Sequence, residues 1–198
     1  MGWPRRLLHW MGAVPASDLA VSAVTSQHPE AEHIVDARDY LNAILHERHG
    51  QKVLLVHEER AIRHLFQDCG NAVEFGFRVI SLGTLVSTMN EPLLKSLSGS
   101  TETGSINLLR DFFVSEAPSA DISAEIQVLR DIMSVRNMFP THRDNASHAM
   151  TACARLGLGY PIADFRAAWT TLLSKYAGAL EGLLEVAKKL PRKPGEGT

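Results

Sequence analysis

Gly76-Phe-Arg-Val-Ile-Ser-Leu-Gly83 decides how the first half of this chain is read. Its inner six residues, Phe77 to Leu82, are mostly apolar and lie between two glycines, which suits a short buried strand. Two further runs upstream have the same character. Lys52-Val-Leu-Leu-Val56 is short and apolar, and Leu19-Ala-Val-Ser-Ala-Val-Thr25 is partly β-branched with small residues at alternate positions. Between these runs the period changes. Glu30 to about His49 places Ile34, Tyr40, Leu41, Ile44 and Leu45 on one helical face, and Gly50 stands where a left-handed residue ends a helix. Glu58 to Gln67 is helical again, and a further helix follows around Leu85–Leu97. Strand, helix, strand, helix, strand predicts an α/β unit: a small parallel sheet with flanking helices joined by right-handed crossovers. An all-helical reading stands beside it, because periodicity alone cannot type a four-residue apolar run.

Beyond this unit the chain reads differently. Ser96-Leu-Ser-Gly-Ser-Thr-Glu-Thr-Gly-Ser105 is of low complexity and reads as a linker. The expected organisation is an α/β unit at 1–95, a linker at 96–105, an all-α helical bundle at 106–190 and a flexible tail at 191–198. In the bundle, Ile106, Leu109, Phe112 and Phe113 mark one helix, and Ile122, Ile126, Leu129 and Met133 mark the next. Pro140 ends or kinks that second helix. Another helix runs from Thr141 to about Leu156. The last helix carries Ile162, Phe165, Trp169, Leu172, Tyr176, Leu180, Leu183, Ala187 and Leu190 at steps of three or four. Gly178 and Gly182 on it admit a close neighbour, so this face predicts either a homodimer or docking along the first unit.

The composition narrows the function classes. The 198 residues carry a net charge of −2 and are 45% hydrophobic, enough for a core but without an overall basic field for nucleic acid. Cys69 and Cys153 are too few for a disulfide framework and read as buried thiols in a reducing compartment. Residues 1–16 have the outline of a signal peptide, but His9 interrupts the apolar stretch, so the expected location is cytoplasmic. No apolar run approaches the roughly 18 residues of a membrane span.

Two resemblances carry the functional expectation. Asp18-Leu-Ala-Val-Ser-Ala-Val-Thr25, Val35-Asp36-Ala37, His49-Gly50 before Val53-Leu-Leu-Val56, then Glu58 and Glu59, and Arg78-Val-Ile80 together resemble a truncated or degenerate PIN-domain ribonuclease of the toxin–antitoxin kind. That family gathers about four carboxylates around Mg²⁺ or Mn²⁺ to polarise a phosphodiester and activate water. The resemblance implies a metal site at Asp36, Glu58 and Glu59. The family's first acid has no counterpart here, and Gln27 and His28 stand where another belongs. Each of the three carboxylates also reads as an ordinary helix N-terminal charge.

Downstream, Arg136-Asn137-Met-Phe-Pro-Thr-His142 resembles the motif of the HEPN ribonucleases, helical dimers that cut RNA without metal. The resemblance gives Arg136 the phosphate and His142 the protons of the 2′-hydroxyl or leaving oxygen. Arg143 and His148 repeat the spacing, so the spacing by itself decides nothing. The structural alternative is that Arg136 and His142 cap helix ends and pair with Asp131 or Asp144. His57 with His64, and His46 with His49, read as solvated helix faces, and Asn145-Ala-Ser147 is a glycosylation pattern without secretory context. The sequence therefore predicts an RNA-directed, nuclease-like protein of toxin or defence type. A non-catalytic module binding a protein partner or a second copy through the C-terminal helix is the alternative.

Overall fold

A computed structural model of the chain describes residues 28–138 and 146–190. Eight helices occur among them: α1 (Pro29–His49), α2 (Glu59–Leu65), α3 (Ala72–Ser87), α4 (Glu91–Ser98), α5 (Ser105–Glu116), α6 (Ser123–Met138), α7 (Ala146–Leu156) and α8 (Phe165–Lys188). The described residues contain no strand, only an isolated antiparallel bridge between Leu54 and Met89. The expected α/β fold with a parallel sheet is therefore corrected to an all-helical one. The first strand candidate, 19–25, lies outside the described residues.

The run Phe77–Leu82 is the middle of α3, and the reason lies on either side of it. Asn71 caps the helix, its side-chain oxygen accepting from the N–H groups of Val73 at 3.1 Å and Glu74 at 3.0 Å. Phe75, Val79, Leu82 and Val86 then recur at steps of four, three and four and are buried. Read from Phe75 rather than from Phe77, the period is helical. Gly76 and Gly83 do not bound an element. Gly83 is an interior residue against which α6 packs, and a Cβ there would lie 2.7 Å from Cγ of Arg136.

The second candidate, 52–56, forms no strand, and only Leu54 of it makes the bridge to Met89. Asn42 of α1 serves it instead: its Oδ1 accepts from the Val53 and Leu54 N–H groups at 3.1 and 2.8 Å, and its Nδ2 donates to the Leu54 carbonyl at 2.7 Å. This amide works beside two backbone bonds, Leu55 N–H to the Thr88 carbonyl at 3.0 Å and Asn90 N–H to the Val53 carbonyl at 2.9 Å. Arg38, one turn earlier, is buried too. It donates to the carbonyls of Leu85 and Leu55, both at 2.9 Å, and to the Tyr176 hydroxyl at 2.6 Å.

The last helix sits at the centre. Asp164 caps α8 through the Ala167 N–H at 3.0 Å, and Trp169, Leu172, Leu173, Tyr176, Leu180, Leu183 and Ala187 are buried along its length. α8 packs on α1, α6 and α3. The Glu125 side chain of α6 lies against Gly182, in space that a Cβ would take, whereas Gly178 faces open space. The apolar face of α8 is thus covered within the chain, and a homodimer would need a different surface. Ser96 to Ser98 are the last turn of α4, and 99–104 connect it to α5, where Ser100 Oγ donates to Asp111 at 2.6 Å. Side chains from before and after this connection form one continuous core.

Candidate functional site

Arg136 stands in the last turn of α6 and is half-buried. Its aliphatic stem lies over Gly83, which fixes where the guanidinium emerges. Among the described residues its only polar partner is the neighbouring Asn137, whose Oδ1 accepts at 3.2 Å. Asp131, one of the two acids that could have neutralised it, is engaged elsewhere. It is buried, and Arg155 of α7 grips it with two hydrogen bonds, Nε to Oδ2 at 2.8 Å and Nη2 to Oδ1, while Gln127 donates at 2.9 Å. This fork-on-carboxylate pair ties α6 to α7. His142 and Asp144 lie outside the described residues, as does the expected start of α7 at Thr141.

The three carboxylates of the metal expectation are all exposed. Asp36 lies on α1, Glu58 is the residue before α2, and Glu59 is the first residue of α2. Among the described residues no group of three or more His, Cys, Asp or Glu side chains is placed to hold a metal ion. The histidine pairs also come apart. His57 is exposed and precedes α2, whereas His64 is buried, which corrects the expectation of a solvated face. His49 sets its ring edge-on to Phe112, with centroids 5.6 Å apart.

His64 is the best-organised titratable group. Ser81 Oγ of α3 donates to the Phe77 carbonyl at 3.1 Å and lies 2.6 Å from His64 Nδ1, while Arg60 Nε approaches His64 Nε2 at 3.3 Å. These partners assign a neutral ring with its proton on Nδ1. Burial, then the charges of Arg78, Arg60 and Arg63, hold its pKa below the usual value. Among the described residues no carboxylate hydrogen-bonds the ring, as a nucleophile–base–acid relay would require. Cys69 is no nucleophile either: burial pushes its thiol up to about 12, and Sγ donates to the Phe165 carbonyl at 3.4 Å.

The surface around His64 went unnoticed in the sequence. Arg60 and Arg63 are exposed on α2, and Arg78 of α3 donates to the Gln67 and Asp68 carbonyls at 3.4 and 3.2 Å. Phe66 is 38% exposed at the end of α2, and Val73 and Phe77, one turn apart on α3, are 68% and 57% exposed. The signal was Arg60, Arg63 and Phe66 at steps of three, with Phe77-Arg78 downstream, and a strand assignment for 77–82 hid the second part.

No protein-family model, curated protein or solved structure matches the chain. Among the described residues no helix is long and apolar enough to cross a membrane.

Proposed function

We propose that this chain is an RNA-directed helical protein that cleaves without metal, with Arg136 on the phosphate and His142 moving protons. The observation that carries this reading is the engagement of Asp131 by Arg155 and Gln127. It takes away a carboxylate that would have made Arg136 a structural ion pair. A guanidinium positioned by its stem and facing a neutral amide suits a phosphate, which accepts two parallel N–H bonds from it. In such a reaction the RNA 2′-hydroxyl attacks the adjacent phosphorus and the 5′-oxygen leaves. One proton is taken from the nucleophile and one is given to the leaving group, and the arginine balances the charge that builds on the phosphoryl oxygens. The all-helical architecture agrees with the helical fold that the resemblance implies.

Purified protein incubated with a mixed pool of single-stranded and structured RNA tests this, beside Arg136→Ala and His142→Ala. The expected result is cleavage that survives EDTA and is lost in both variants. Cleavage that needs Mn²⁺ would point instead to Asp36, Glu58 and Glu59. No cleavage by folded protein in either condition would leave a non-catalytic binding module.

A further inference from the structure

We propose that the edge formed by α2 and the first half of α3 binds single-stranded RNA, with Arg60, Arg63 and Arg78 on the phosphates and Phe66 and Phe77 as stacking platforms for bases. This inference rests on the RNA-directed reading but not on the chemistry of Arg136 and His142.

Arg60 and Arg63 lie one turn apart on α2, and Arg78 of α3 reaches the Gln67 and Asp68 carbonyls just beyond the end of that helix. None of them forms an ion pair with a carboxylate among the described residues. Arg60 spends one N–H on His64, Arg78 donates to two backbone carbonyls, and Arg63 has no hydrogen-bond partner among the described residues. Of the acids around them, Asp68 meets cationic partners, whereas Glu74 is exposed and bonded only to backbone. Asp68 is shared by His28 at 2.9 Å and Arg166 at 3.1 Å, and Glu74 accepts the Gly70 N–H at 2.8 Å. Glu58 and Glu59 remain exposed at the start of α2, beside Arg60 in sequence.

Cationic side chains interleaved with open aromatic rings are the pattern by which single strands are held: phosphates meet guanidinia, and bases stack on ring faces. A protein partner would be better served by a purely apolar patch, and here three arginines accompany the exposed rings. The edge also shares a helix with the proposed cleavage site. Gly83, under the stem of Arg136, is six residues from Phe77, about 9 Å along the axis of α3.

The test is fluorescence anisotropy with an end-labelled oligouridine of about 12 nucleotides, in EDTA, on the full chain carrying His142→Ala so that the probe stays intact. Phe77→Ala and Arg63→Glu should each weaken binding by about tenfold. Arg63→Glu should also flatten the salt dependence by about one unit of log–log slope. Lys95→Glu on α4, equally exposed, should change neither beyond the general loss of charge. Affinities unchanged in Phe77→Ala and Arg63→Glu, or no binding at all, would overturn the proposal. So would a photo-crosslinker at position 77 that captures a polypeptide and no RNA. The outcomes separate the two readings. Cleavage with unaltered binding in Phe77→Ala removes this surface alone, whereas binding without cleavage removes the catalytic assignment alone.

Discussion

Arg38 is a buried cation whose loss should be costly. Replacing it with Met keeps the volume but strips partners from the Leu85 and Leu55 carbonyls and the Tyr176 hydroxyl. Urea denaturation should show a destabilisation of about 3 kcal/mol, because buried acceptors left unpaired carry their full desolvation cost. Its position was available in the sequence, between Ile34 and Leu41 on the apolar face of α1, yet a charge there names no partner. Gly83→Ala tests function at the same scale. The added methyl gains up to about 1 kcal/mol of helix propensity, but it meets the Arg136 stem and must push it aside. RNA cleavage should fall by at least about tenfold with little change in melting temperature, since small displacements of a phosphate ligand are costly. Cys69, with its thiol pushed up to about 12, should resist iodoacetamide at pH 8 in the folded protein and react on unfolding.

Among the elements, α2 is short and is held to α3 by His64, Ser81 and Arg78. That attachment should depend on pH in a definite direction. The folded state lowers the pKa of His64, so between that lowered value and the ordinary 6.5 the unfolded chain binds the extra proton. The contribution is complete above about pH 6.5 and is lost as pH falls through and below it. The urea midpoint should therefore drop between pH 7.5 and 5.5, and His64→Gln should remove that part of the dependence. An unaltered slope in the variant would assign it to other groups. The long helices at this scale were legible: α1 with its left-handed Gly50, α5, α6 and α8 all lie where their apolar periods put them. α3 was not, because its two glycines imitate strand boundaries. Only the packing of α6 shows that Gly83 is there to admit Arg136.

At the scale of the molecule, α8 lies against α1, α3 and α6, elements from both sides of the 99–104 connection. A chain built this way should unfold in one step, with far-ultraviolet dichroism and tryptophan fluorescence from buried Trp169 giving the same midpoint. Two separated transitions would instead mean that 1–95 and 106–190 fold independently. Apolar spacing by itself determined the long helices and the apolar face of α8, because a helical period is a local property that one strip of sequence expresses. The spacing of Arg136 and His142 was equally plain. What occupies Asp131, what covers α8, and whether 52–56 meets a strand or the amide of Asn42 were decided only by tertiary structure. Each depends on which distant side chain arrives first at a polar or apolar surface, and the local period carries no record of that.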